Sequence, residues 1–535
     1  MSTIALSPSL ERPAVNPWIV ACAVIVPTFM EILDTTIANV SLRYIAGGLS
    51  ASATDSEWVI TSYLAANAVI LPISGWISTT LGRRNYFVLS ICIFTVSSVL
   101  CGTAQSLNQL ILFRVLQGLG GGGLQPSSQA ILLDRFPPEK QGSAMTLYAV
   151  AGLMAPIVGP TLGGWITDNY SWRWIFYINL PIGMIAAVAC YAVARDPEYL
   201  QRLRAERRKN PQPFDTIGLS LLVIAMVCWE VTLSKGQEWD WLGDPFGRVQ
   251  TLAALFGIAT VGLFIWEMRR PAPLVNFRPF ANRNFAICSL IIFSIFAVLY
   301  GASTSLPALL QTLFGYDALQ SGLVMSPSGI FAVITLPIVG FLLGRRFDAR
   351  GLIAFGLLLV AAGSYWMSRM NLQISPMYII WPRVVMIIGL SFCFAPLNVA
   401  AYKYMPVALR GAAVGMFSLL RNEGGSVGTS LAQTIQERRA QFHALRLGEF
   451  LDPLNPAVTS FGRQAQGYFL QQTGDPALSR LMSVAELANV RDQQASALAY
   501  FDCFWLFSIA ALILIPLVLL MRRSAAEAGQ HLAAE

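Results

Sequence analysis

About fourteen apolar stretches, each long enough to cross a bilayer, follow one another along this chain with short polar turns between them. A backbone surrounded by hydrocarbon must satisfy its own N–H and C=O groups, so such stretches fold as helices. The spans fall near 18–40, 56–78, 86–105, 109–132, 143–167, 173–194, 214–234, 246–268, 284–306, 320–343, 351–370, 378–400, 410–436 and 500–521. The expected fold is therefore all-α and integral to the membrane.

Composition excludes several alternatives. Of 535 residues, 55% are hydrophobic and only 12% charged, far from the balance of a soluble domain. The 8 cysteines fall in or beside apolar runs, which reads as small core residues and not as a disulfide framework. The 2 histidines, His443 and His531, lie outside every expected span, which leaves no histidine for a metal or acid–base centre inside the bundle. No nucleophile elbow or phosphate loop is present either, so an enzyme is not expected. The first apolar run lacks a small-residue cleavage site and little positive charge precedes it, so it is expected to remain as a helix.

The net charge of +7 is distributed as a topology signal and does not suggest nucleic-acid binding. An even number of spans puts both termini on one side. That side, with Arg12, Arg83, Arg84, the stretch 195–209, residues 269–283, residues 345–350, Arg522 and Arg523, collects about 22 Lys and Arg against about 6 on the short loops opposite. Both termini are expected to be cytoplasmic. The segment 437–499 carries six arginines on the outer side, but segments of that length translocate regardless of charge. Its turn run Leu451 to Pro456 separates two stretches of helical character. This segment either caps the outer mouth or contacts a partner. A basic stretch, Arg202 to Lys209, flanked by Pro197, Pro211 and Pro213, separates the sixth and seventh spans and is expected to lie on anionic headgroups. The chain thus divides into 1–194, 195–283 and 284–535.

Charges inside spans cost about 2.5–3.5 kcal/mol each on insertion scales, so each asks for a reason. Glu31, Asp34, Arg114, Arg421 and Glu423 stand out. Glu31 and Asp34 are three apart, on one face of one helix, and two buried acids are suited to loading and unloading a proton. The alternative is an acid permanently paired with Arg114 or Arg421. Arg421 and Glu423, two apart, point to different faces, and either could face a central cavity. Gly152-x-x-x-Pro156-x-x-Gly159-Pro160-x-x-Gly163-Gly164 combines missing N–H groups with small residues, which makes a kinked helix seated close to a neighbour.

A weak internal echo links Gly75 and Leu81-Gly82-Arg83-Arg84 with Gly340 and Leu343-Gly344-Arg345-Arg346, as in transporters built from parallel repeats. Small residues allow two helices to meet there, and the arginines are expected to bond helix ends across the bundle as a latch.

These residues carry a resemblance. Leu33-Asp34-Thr35-Thr36-Ile37-Ala38-Asn39-Val40, Arg114-x-x-Gln117-Gly118, Gly159-Pro160-x-x-Gly163-Gly164, Trp172-Arg173-Trp174-Ile175-Phe176-Tyr177-Ile178-Asn179-Leu180-Pro181 and Arg421-x-x-Gly424-Gly425 together resemble the EmrB/QacA group of fourteen-span drug:proton antiporters in the major facilitator superfamily. The resemblance implies two six-helix bundles with two intervening helices and alternating access around a central cavity. It implies Asp34 as the coupling acid, with Arg114 as a proton-relay or structural arginine, Gly159 to Gly164 with Pro156 as the antiporter motif, and Gly75, Gly82, Arg83 and Arg84 as the inner-loop motif; Glu31, on the same face as Asp34, joins the proton-coupling candidates. Asn39, Gln117, Arg421 and Glu423 are candidates for the cavity or its gate. Thr79 stands where the inner-loop pattern has an acid, and Glu423 where an apolar residue is usual.

The expected function is proton-driven export of lipophilic drugs from the bacterial inner membrane, with no cofactor beyond the proton gradient. The long outer loop is similar to that of EmrB-type pumps, which implies an EmrA-type periplasmic adaptor and a TolC-type outer-membrane channel as partners. The alternative is a dedicated exporter or proton symporter for one metabolite, which the same fold could host.

Overall fold

The computed structural model describes residues 16–209, 214–271, 273–345, 347–406, 409–452 and 454–522. Arg12, Pro211, Pro213, Arg346, Pro453, Arg523 and His531 lie outside the described residues. Within them the chain is helical throughout, without strands.

The first half comprises α1 (Pro17–Gly48), α2 (Ala53–Ser56), α3 (Trp58–Leu81), α4 (Arg83–Thr103), α5 (Leu107–Gly121), α6 (Leu124–Arg135), α7 (Pro138–Asn169), α8 (Trp174–Tyr177) and α9 (Asn179–Val193). The connecting region holds α10 (Glu198–Lys209), α11 (Thr216–Lys235) and α12 (Arg248–Arg269). The second half comprises α13 (Arg283–Thr312), α14 (Ala318–Gly344), α15 (Ala349–Ser368), α16 (Pro376–Tyr402), α17 (Arg410–Gly448), α18 (Pro456–Thr473) and α19 (Pro476–Leu519). Several helices begin where a polar side chain takes over orphan N–H groups. Asn282 accepts from Asn284 N and Phe285 N at the start of α13, and Asp317 forms a capping box with Gln320 at the start of α14.

Among the described residues twelve helical spans, one of them α8 and α9 together (Trp174–Val193), are long and apolar enough to cross a bilayer. The other two expected spans exist but do not meet that measure, for a physical reason. The fourth is broken into α5 and α6 at Gly122 and Gly123, and it buries Arg114, Gln117, Gln125 and Gln129. The thirteenth is the front of α17, which buries Arg421 and Glu423. Both fall short because their buried faces carry these polar side chains into the bundle, while α5 keeps Leu112, Leu116 and Leu119 exposed. α5 wedges closely between its neighbours: a Cβ on Gly118 would stand 2.5 Å from the Tyr63 carbonyl, and one on Gly120 would stand 2.6 Å from Phe94 N.

Packing runs α1 on α7, α5 against α3 and α4, and α4 on α9 in the first half, and α13 on α17 with α15 on α16 and α19 in the second. The halves meet along α7–α14 and α3–α17. α11 pairs with α12 and also docks on both α3 and α17, so it bridges the two halves.

The segment expected as a long outer loop is helical. α17 has 39 residues and α19 has 44, about 58 and 66 Å of helix, roughly twice the hydrocarbon thickness. With α18 packed on α19 they project from the bundle as an antiparallel extension. Its base is fixed where Arg439 Nε donates to Asp502 Oδ2 at 2.6 Å and His443 Nε2 lies 2.7 Å from the same oxygen.

Candidate functional site

A cavity of about 360 Å³ lies between the halves. Glu31, Thr35 and Asn39 of α1, Tyr63 of α3, Gln125 of α6 and Glu230 of α11 line one side of it. Tyr300 of α13 and Asn422 to Gln436 of α17 line the other. The lining runs on past Leu42, at the end of α1, and Glu57, just before α3. Toward the opposite end the halves close. There a Cβ on Gly75 would stand 2.7 Å from the Gly411 carbonyl carbon, so only glycine permits the approach of α3 to α17. Gln129 of α6 bonds Asn398 of α16, and Tyr402 donates to Gln129 at 3.4 Å.

Glu31 and Asp34 share a helix face but part company in their partners. Asp34 is paired with a cation: Arg114 Nη1 donates at 2.6 Å, Gln117 Nε2 at 3.0 Å and Asn179 Nδ2 at 2.8 Å. The Arg114 Nε donates to the Val59 carbonyl at 3.0 Å, and its guanidinium lies over the Tyr63 ring at 4.4 Å. Neither Asp34 nor Arg114 lines the cavity. Glu31 does, and its hydrogen-bond partners are neutral. Gln125 donates to it at 2.5 Å, Tyr63 at 3.1 Å and Asn67 at 3.2 Å.

Gln125 carries this network across the bundle, because its carbonyl oxygen accepts from Arg421 of α17. The Arg421 guanidinium is further held over the rings of Tyr148 and Phe296, at 5.6 and 5.7 Å. Glu423 points elsewhere, to α11, where Trp229 Nε1 donates to its Oε2 at 2.6 Å.

The remaining sequence candidates take supporting places. Asn39 lines the cavity, whereas Gln117 is spent on Asp34 and Arg114. Pro156 and Pro160 sit inside α7, and Gly159 and Gly163 bring that helix against Thr36 and Ile37 of α1; the Gly163 and Gly164 carbonyls accept from the Thr167 hydroxyl. Gly82 turns the chain between α3 and α4 at φ 89°. The arginines that follow do not span the bundle as a latch would require. Arg83 pairs with Asp134 of α6, and the Arg84 backbone N–H donates to Asp196 at 2.9 Å, all within the first half and its outgoing segment. Asp134 supplies the acid that Thr79 does not.

Sequence reading passed over three residues. Glu230 and Arg383 sit inside expected spans, and a charge in an apolar run was the available signal for both. Gln125 carries no charge, and only its contacts mark it.

Residues 24–429 match the family described as Major Facilitator Superfamily. The chain is similar to the multidrug export protein EmrB of Haemophilus influenzae, 35% identical over 494 residues, covering 92% of this chain and 93% of that one. It is 34% identical over 505 residues to the multidrug export protein EmrB of Escherichia coli strain K12, covering 94% of each. Among solved structures, the human organic anion transporter MFSD10 superposes with a TM-score of 0.58 at 13% identity, over 95% of this chain and 100% of that one. A buried polar network beside a cavity between two helical halves, inside a bundle of bilayer-length helices, is what such similarity leads one to find: the chain belongs to the major facilitator superfamily of membrane transporters, in the group of EmrB-type multidrug export proteins.

Proposed function

We propose that this protein exports lipophilic drugs from the bacterial inner membrane in exchange for protons, with both termini in the cytoplasm. The observation that carries the proton-coupled reading is Glu31: a buried carboxyl at the cavity wall whose hydrogen-bond partners are all neutral. Taking up a proton there removes a charge that no hydrogen-bonded partner balances, within the field of Arg421, and it changes what Gln125 can donate to. Gln125 is bonded to Arg421 on the other half, so the protonation state of Glu31 biases how the halves sit together. Asp34, with its charge already balanced by Arg114, holds α1, α3, α5 and α9 in register around that switch.

The cavity wall mixes aliphatic side chains such as Ile32, Ile60, Leu64 and Leu233 with hydroxyls, amides and carboxyls, which suits cargo that varies in shape. A periplasmic adaptor and an outer-membrane channel complete the proposed assembly. The exposed Leu445, Phe450, Leu454 and Leu481 on the projecting extension support an adaptor contact there.

The test is efflux from proteoliposomes under an imposed pH gradient, with several unrelated lipophilic compounds competing. Wild type is expected to show gradient-dependent flux, Glu31→Gln to lose the dependence on the gradient, and Asp34→Asn to lose flux together with stability. Full coupling in Glu31→Gln would remove Glu31 from the role, and absence of competition among compounds would favour a single-metabolite exporter.

A further inference from the structure

The intervening helix α11 brings a second acid to the cavity. Its Glu230 lines the wall, is buried, and accepts from the Ser426 hydroxyl at 3.1 Å. Glu423 of α17 is brought beside it by two reciprocal bonds: Ser426, one turn after Glu423, donates to Glu230, and Trp229, the neighbour of Glu230, donates to Glu423. Glu423 is 5% exposed, and among the described residues no donor group reaches its Oε1. Its other oxygen is fixed by Trp229, which in turn stacks on Phe256 of α12 at 4.7 Å.

Two carboxyl groups buried side by side favour a proton on one of them, since two ionised carboxylates repel. The pair therefore carries one negative charge and one removable proton.

No cation stands ready to replace that proton. On α11, Lys235 is bonded to Glu57 at 2.9 Å and to Glu238 at 2.7 Å. On α17, Arg421 turns to Gln125. The titratable groups that face the cavity from α1, α3 and α13 are Glu31, Tyr63 and Tyr300, none of them basic.

We propose that Glu230 and Glu423 form an exchange site that releases one proton when it binds one monovalent organic cation. The inference rests on the export reading given above and names a class of cargo for it. In the exchange the O–H bond of the protonated carboxyl breaks, its electron pair stays on the oxygen, and the proton leaves through the water of the open cavity. The cation takes its place beside two carboxylates, so the site keeps a net charge of one negative before and after. Nothing is oxidised or reduced. Because one carboxylate belongs to α11 and the other to α17, the exchange also alters the contact between the intervening helices and the second half.

The test uses the full-length protein in detergent with tetraphenylphosphonium as probe. In weakly buffered solution, wild type is expected to release one proton per cation bound, and its affinity should fall about tenfold per pH unit once the pair is protonated. Glu230→Gln combined with Glu423→Gln should abolish the release and leave any residual binding independent of pH. The melting transition of the variant is recorded alongside, and the wild-type arms stand without it. Absence of binding or of proton release in wild type, or release unchanged in a folded double variant, would overturn the proposal. Gradient-driven flux of an uncharged lipophilic dye by wild type is measured in parallel: its absence overturns the export reading, whereas its presence without proton release overturns the exchange site alone.

Discussion

The side-chain N–H of Gln125 donates to Glu31 at 2.5 Å while its carbonyl oxygen is held by Arg421, so one neutral amide ties an acid of the first half to an arginine of the second. Replacing it with an apolar residue leaves both charges without that partner. Gln125→Leu is expected to lower gradient-driven flux at least about tenfold and to cost about 1–3 kcal/mol of stability, from the unmet hydrogen bonds. Proteoliposome flux and thermal melting measure the two effects. Wild-type flux in this variant would show that the bridge carries no coupling.

Asp34 and Arg114 are buried and paired at 2.6 Å, so removing one charge strands the other. Asp34→Asn is expected to destabilise by about 3–5 kcal/mol, and Arg114→Gln added to it should recover part of that loss. A double-mutant cycle on melting temperatures gives the result. Simple additivity would contradict the pairing as a source of stability.

Arg383 of α16 is 1% exposed, donates from Nη2 to the Ser303 hydroxyl at 2.8 Å, and leaves Nε and Nη1 without a hydrogen-bond acceptor. A carboxylate at position 303 would supply the missing counter-charge. Ser303→Asp is expected to raise the melting temperature by several degrees, and adding Arg383→Gln to it should lower the value below that of wild type. A drop in Ser303→Asp alone would mean that Arg383 already has its charge balanced.

Asp244, before α12, gives a pH-dependent contribution outside the membrane. The Arg248 side chain, donating from Nη2 at 3.0 Å, together with the backbone N–H groups of Phe246, Arg248 and Val249, holds its pKa down at about 2. A depressed carboxylate stabilises the fold above its ordinary titration range, and that contribution is lost as pH falls toward 2. Asp244→Asn should therefore melt below wild type near pH 7, with the gap narrowing through pH 4 to 2. A gap constant over this range would exclude the ionised carboxylate as its cause.

The helical architecture was legible because lipid enforces it: the length of each apolar stretch marked the spans. Boundaries were less legible where a helix leaves the bilayer. The extension of α17 to Gly448 and of α19 back to Pro476 rests on polar residues that obey no membrane rule. At the site, a charge within an apolar run pointed to Glu31, Asp34, Arg114, Arg421 and Glu423, but not to their partners. A spacing of three residues puts Glu31 and Asp34 on one face. It does not say that Arg114 reaches only Asp34, or that Glu31 is left with amides and a phenol. Such pairings join residues 32 to 94 positions apart, and those contacts exist only once the helices have packed.

α17 runs without a break from Gly425 at the cavity to Gly448 at the far tip of the extension. The stretch beyond Gly425 is about 35 Å of continuous helix, so it works as a lever: a tilt of about 5° at the cavity displaces the tip by about 3 Å. Asp502 clamps α19 to this rod through Arg439 and His443, so the two long helices swing as one. Whatever rests on the extension therefore receives a mechanical signal of whether the chamber below it is open or shut.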